Sequence, residues 1–229
     1  MRLRRRIANF FLKSCGLHQL HGTGLQKFTR AVFDEIDLQH LRETQACRSF
    51  AQRMDLYQFV HDSCVQGGAI DYLEFGVFKG ESIRFWAGMN QHPESRFFGF
   101  DSFEGLPEDW RKGQDKGHFS VAGNLPDIRD PRVQFLKGWF DATVPPFARD
   151  FKAQRQLVLH LDADLYSSTM LPLMHFSPFM AKGTLLLFDE FYDRDHEFKA
   201  LMDWQRIHRR KFSVVGEVGD FSKICVQVE

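Results

Sequence analysis

The sequence predicts an α/β fold, a mostly parallel sheet with helices on both faces and a β-hairpin at its end, on three observations. A short apolar strand ends in a glycine turn that opens a helix, from Asp71-Tyr-Leu-Glu-Phe-Gly-Val-Phe-Lys-Gly80 into Glu81-Ser-Ile-Arg-Phe-Trp-Ala87. Two later apolar runs end in carboxylates, at Asp162 with Asp164 and at Asp189 with Glu190. The final stretch reads as two strands joined through Gly219-Asp220.

Length and composition bound what such a chain can be. With 229 residues, 43% hydrophobic and 26% charged, it reads as one globular domain with a small elaboration. We divide it into a basic, helical segment over 1–66, a lid or dimer contact, and a ligand-binding domain over 67–229. Thirty basic residues balance thirty acidic ones, so no net field recruits a nucleic acid. The 25 phenylalanines are read chiefly as core. Cys15, Cys47, Cys64 and Cys225 form no C-x-x-C pair and no zinc spacing, which predicts free thiols in a reducing compartment. No apolar run approaches the ~20 residues of a membrane span, and the start lacks a secretory leader's features. The expected compartment is the cytoplasm.

The chain opens with Arg2, Arg4, Arg5 and Arg6 ahead of Ile7-Ala-Asn-Phe10-Phe11-Leu12. Such a start suits a solvated basic terminus or a helix packed on a second subunit of a homodimer. A weaker reading places it at the anionic inner face of a membrane. Phe28, Val32, Phe33 and Ile36 then share one helical face, and Leu56, Phe59, Val60 and Cys64 another. Gly67-Gly68 hands over to the first strand, expected over 69–75.

That strand, its glycine turn and the helix from Ser82 form a cofactor corner, where backbone N–H groups are free to meet a ligand. Asp101 closes the next apolar segment, Phe97-Phe-Gly-Phe100, about 20 residues after the turn, where an acid can take ribose hydroxyls. Gly76 and Gly80 leave Phe78 where a dinucleotide fingerprint needs its second glycine, so a pyrophosphate is disfavoured. This leaves little room for a nicotinamide-dependent oxidoreductase. A nucleoside without phosphates fits better, and Glu74 adds an acceptor for a ligand amine. S-adenosyl-L-methionine meets that description.

Beyond Asp101 a long polar loop runs through Arg111 to Gly123, a usual place for binding residues. Val133 to Phe140 reads as a strand ending in Gly138-Trp139, and Pro145-Pro146 as the start of a short helix. Gln156 to Asp162 is a buried strand on which His160, Asp162 and Asp164 share one face. A helix broken by prolines is expected from Leu171 to Met180, a strand over 183–188, and a helix from Glu197 to Arg210. The paired carboxylates repel unless a cation lies between them. Mg²⁺, which takes oxygen ligands, is the natural occupant and would acidify a bound hydroxyl. The other reading of these acids is helix caps or direct contacts to a polar substrate.

Four ordered blocks resemble the macrocin O-methyltransferase family. They are Leu73-Glu-Phe-Gly-Val-Phe-Lys-Gly-Glu-Ser82, Phe98-Gly-Phe-Asp-Ser-Phe-Glu-Gly-Leu-Pro-Glu-Asp-Trp110, His160-Leu-Asp-Ala-Asp-Leu-Tyr-Ser-Ser-Thr169, and Phe188-Asp-Glu-Phe191 with Glu197-Phe-Lys-Ala200. The resemblance implies a Rossmann-like class I methyltransferase fold with a seven-stranded sheet. It also implies O-methylation of a sugar hydroxyl, on a small molecule or a glycan, from S-adenosylmethionine with Mg²⁺. Residue by residue, Glu74, Gly76, Lys79, Gly80 and Ser82 would line the methionine part. Asp101 and Ser102 would take the ribose, and Phe103, Gly138 and Trp139 the adenine side. Asp162, Asp189 and Glu190 would hold the metal, although Glu190 stands where relatives often carry a second aspartate. The base is Asp162, Asp164 or His160, with Asp162 preferred. A second reading is a non-catalytic nucleoside-binding protein working through its basic N-terminus at a membrane or on a partner.

Overall fold

The computed structural model describes residues 48–219 and 221–229. The expected basic start and the face of Phe28, Val32, Phe33 and Ile36 lie outside the described residues. Strands are β1 (Arg48–Phe50), β2 (Ile70–Phe75), β3 (Arg96–Asp101), β4 (Val133–Lys137), β5 (Gln156–Leu161), β6 (Leu185–Phe188), β7 (Phe212–Val218) and β8 (Lys223–Val228). Helices are α1 (Arg53–Val60), α2 (Glu81–Met89), α3 (Phe140–Asp150), α4 (Tyr166–Phe176) and α5 (Glu197–His208), and one π turn, His61–Val65, prolongs α1. The strands form one sheet in the order β1-β7-β8-β6-β5-β2-β3-β4. β8 alone among them runs antiparallel to its neighbours.

The expected seven strands are present, and β1 adds an eighth. It pairs parallel with β7, Arg48 opposite Gly216 and Phe50 opposite Val218, so the hairpin does not end the sheet as expected. Three residues are too few to show an alternating pattern. Tertiary packing selects the strand: a Cβ at Gly216 would stand 2.8 Å from Leu56 Cδ1 and 3.1 Å from the Phe50 ring. Only a glycine lets both side chains close over the strand.

Two helices also start earlier than expected. α3 begins at Phe140 with Pro145 and Pro146 inside it. Its first turn is already closed, because the Trp139 carbonyl accepts the N–H groups of Ala142 and Thr143 and the Thr143 hydroxyl. Buried Val144 and Ala148 then hold the helix against the sheet despite two missing donors. α4 begins at Tyr166 and carries Pro172 within it.

The core has two halves. On one face of the sheet Leu56, Tyr57, Tyr72, Trp86, Val158 and Leu187 pack together. On the other, Phe75 stacks on Phe100 at 4.8 Å, and Phe147, Phe151, Phe176 and Phe179 continue the cluster. These rings account for much of the phenylalanine content as core. Register then places the site: Phe75 lies opposite both Phe100 and Leu161, and Leu161 opposite Phe188. Gly76, Asp101, Asp162 and Asp189 therefore leave the sheet at one level, side by side. Cys64 and Cys225 are free thiols, and no helix among the described residues is long and apolar enough to cross a membrane.

Candidate active site

The glycine corner is held by the acid expected to serve it. Asp101 Oδ2 accepts the N–H groups of Val77 and Phe78, each at 2.8 Å, and Oδ1 accepts that of Phe103 at 2.7 Å. Gly76 has φ 93°, and a Cβ there would lie 1.8 Å from the Asp162 carbonyl oxygen. Its lack of a side chain thus serves contact between the ends of β2 and β5, where close approach to a ligand was expected. At φ 75°, Gly80 caps the start of α2 and packs on Pro126.

A cavity of about 610 Å³ opens above these strand ends, within the range of small-molecule sites. Of the expected cofactor residues, Glu74, Gly76, Lys79, Ser82, Asp101, Ser102 and Trp139 line it. Gly80, Phe103 and Gly138 do not. The Phe103 ring is buried against Phe135, so its part is played by its backbone N–H. Gly138, at φ 147°, turns the chain so that Trp139 emerges half-exposed. Two further wall residues are Phe78 and Phe119, whose rings meet edge to face at 5.7 Å. Phe78 was read from the sequence only as a missing glycine, and Phe119 sits in a loop with no pattern. Flat aromatic walls, an acid at Glu74 and a clamp at Asp101 fit a nucleoside carrying an amino acid.

The other end of the cavity is acidic, and its chemistry turns on His160. This ring is fully buried between two phenols. Tyr72 donates its one proton to Glu74 Oε2 at 2.5 Å and lies 2.7 Å from His160 Nδ1. Tyr57 donates to Asp189 Oδ1 and lies 3.1 Å from His160 Nε2. Burial keeps both phenols protonated. With each phenol proton spent on a carboxylate, the phenol oxygens face both ring nitrogens as acceptors, an arrangement that favours the charged form of His160. Burial opposes that charge, but Asp189 and Glu74 outweigh it and hold the group at about 10. A charged ring would have no lone pair to take a proton.

The carboxylates divide in the same way. Asp162, Asp164, Asp189 and Glu190 all line the cavity. Burial, then the charge of Asp189, pushes Asp162 well above the usual carboxylate range. Asp164, at φ 58°, is pushed to about 7 by burial and by Glu190. Asp189 is the opposite case: burial would raise it, yet His160 and Lys223 hold it well below the ordinary value. Lys223 Nζ donates to Asp189 Oδ2 at 2.7 Å and to its carbonyl at 2.8 Å, and Arg53 stands 3.6 Å from Oδ2. Glu190 faces Tyr192 and Arg111, which are hydrogen-bonded to each other. A further acid, Glu197, is wholly buried and accepts the Glu190 N–H at 2.9 Å, leaving Oε1 without a partner. Sequence inspection placed Glu197 in a family block and on a helix but gave it no role.

Comparison with known proteins agrees with this geometry. The family model for macrocin-O-methyltransferase (TylF) matches residues 47–216. The chain belongs to the macrocin O-methyltransferase family. Curated relatives include the "8-demethyl-8-(2,3-dimethoxy-alpha-L-rhamnosyl)-tetracenomycin-C 4'-O-methyltransferase" of Streptomyces olivaceus. It is 29% identical over 163 residues, 61% of this chain and 60% of that protein. The mycinamicin III 3''-O-methyltransferase of Micromonospora griseorubida is 28% identical over 169 residues, covering 61% of this chain and 63% of that protein. The chain thus spans under two thirds of the length of these relatives. Among solved structures, the calicheamicin methyltransferase CalS11 superposes with TM-score 0.59 at 19% identity, covering 99% of this chain and 91% of that one. The O-methyltransferase NovP gives 0.58 at 20%, covering 76% and 78%. These two likenesses establish the Rossmann-like methyltransferase fold.

The Mg²⁺ that the family resemblance implies does not fit the residues as they stand. His160, Asp162 and Asp189 bring ligand-type atoms within 4.8 Å of one another, but both nitrogens of His160 are taken up by the phenol oxygens of Tyr57 and Tyr72. Asp189 offers Oδ1 to Tyr57 and Oδ2 to Lys223. Glu190, the third expected ligand, is outside that group and turns to Tyr192 and Arg111. Of the three, Asp162 alone has a carboxylate free of a protein donor.

Proposed function

We propose that the chain transfers a methyl group from S-adenosylmethionine to a hydroxyl of a sugar or a glycosylated metabolite. The observation that carries the reading is one cavity joining a nucleoside-shaped corner to Asp164, a carboxyl whose proton affinity is matched to neutral pH. Family membership and the sugar O-methyltransferase names of the curated relatives support the substrate class.

In this reading Glu74 and Ser82 hold the amino-acid end, Asp101 and Ser102 the ribose, and Trp139 with Phe78 and Phe119 the adenine side. The sulfonium supplies the methyl group. Asp164, in place of the sequence-preferred Asp162, takes the hydroxyl proton as the oxygen attacks. Asp162, beside it on the cavity wall, orients the acceptor. Calorimetric titration with S-adenosylhomocysteine, followed by methyl transfer to a panel of deoxysugar glycosides, tests this. Stoichiometric nucleoside binding and product formation that Asp164→Asn abolishes are expected; a protein that does not bind the nucleoside is not a methyltransferase.

A further inference from the structure

Two cations and a buried histidine converge on Asp189 from three separate elements: Lys223 at the first residue of β8, Arg53 at the first residue of α1, and His160 within β5. Topology puts Lys223 there. β8 runs antiparallel to β6 with Ile224 opposite Phe188, so the residue before Ile224 stands beside the residue after Phe188. The parallel strands β2, β3, β5 and β6 contribute to this crest from their carboxyl ends; the one reversed strand contributes from its beginning. The ammonium bonds both the carboxylate and the carbonyl of Asp189, which fixes the turn as well as its charge. Arg53 also pairs with Glu81 at 2.6 Å and lines the cavity.

We propose that these side chains, Lys223 foremost, supply from within the chain the positive charge that the acidic end requires, so that it works without a divalent cation. The inference rests on the methyltransferase reading for its role in turnover and on geometry alone for its prediction about metal. Mg²⁺–oxygen bonds are about 2.1 Å, and Lys223 Nζ is 2.7 Å from Asp189 Oδ2. An ion on that oxygen would sit no more than about 5 Å from the ammonium, with the Arg53 guanidinium beside it. In turnover the acceptor oxygen forms a bond to the methyl carbon, the carbon–sulfur bond breaks with its pair going to sulfur, and the hydroxyl proton passes to Asp164. Lys223 touches none of these atoms and acts as a positioning residue.

The test is Mn²⁺ binding to the metal-stripped full chain, followed by electron paramagnetic resonance with and without S-adenosylhomocysteine, alongside turnover in excess chelator. Wild type is expected to show no stoichiometric Mn²⁺ site and no loss of turnover. Lys223→Gln is expected to gain a Mn²⁺ site and lose about a hundredfold in kcat, with Lys223→Arg restoring the wild-type pattern; thermal melts report folding, and Arg53→Gln serves if Lys223→Gln does not fold. One Mn²⁺ bound by wild type and lost in Asp189→Asn overturns the proposal, as does turnover that chelation abolishes and Mg²⁺ restores. A Lys223→Gln protein unchanged in both readouts overturns the part given to Lys223. Failure to bind S-adenosylhomocysteine instead refutes the methyltransferase reading, and the Mn²⁺ measurement still decides the question of metal.

Discussion

Asp164 and Glu197 are both buried acids, and they differ in what holds them. Asp164 faces the cavity with a carboxyl pushed to about 7, so kcat/KM should fall about tenfold per pH unit below that point. Asp164→Asn should remove this limb together with roughly a hundredfold or more of the activity. The sign for stability is opposite to that of a salt-bridged acid. The folded chain binds the Asp164 proton more tightly than the unfolded chain, so this stabilisation is complete below about pH 4 and lost as pH rises through about 7. Thermal melts of Asp164→Asn against wild type should therefore diverge from pH 4 to pH 8, the variant gaining on the order of a few kcal/mol. Glu197 instead holds a backbone N–H, and burial raises it well above its usual range. Glu197→Gln keeps an acceptor and should be near neutral in denaturant melts. Glu197→Ala leaves the Glu190 N–H unsatisfied and should cost about 1–3 kcal/mol. Little of this was legible beforehand: the sequence gives an acid's position but not which atoms surround it.

Among the elements, the strand ends were read well because each is a run of apolar residues stopped by glycine or acid. β2, β3, β5 and β6 lie where periodicity placed them. β1 and the early start of α3 escaped because neither is encoded locally. A three-residue strand has no period, and a proline pair reads as a helix start even when a tryptophan carbonyl has closed the turn ahead of it. Gly216 is the residue on which β1 depends. Gly216→Ala should crowd Leu56 and Phe50 and cost about 1–3 kcal/mol in a chemical denaturation melt, with faster amide exchange along β1 and β7. Unchanged exchange there would mean that β1 docks without that gap.

For the whole molecule, one cavity joins the glycine corner to the acidic crest, so the corner and the acid cluster belong to one folded unit. S-adenosylhomocysteine at a hundredfold its Kd should stabilise that unit by about 2.7 kcal/mol, a rise in Tm of roughly 5–10 °C for a domain of this size. A melt that does not move with the nucleoside would contradict the assignment of the corner.

The sequence by itself determined the fold class, the order of strands and helices, and which residues crown the sheet, because apolar periods and glycine turns act over a few neighbours. It also determined the family, through four blocks in order. Only the tertiary structure decided which partners those crown residues have. His160 lies between two tyrosines from distant segments that spend their protons on carboxylates. Asp101 became the clamp of a turn, and Asp189 lost its freedom to a lysine 34 residues further along the chain. Protonation and ion pairing are set by partners within a few ångströms, and folding, not sequence spacing, chooses those partners.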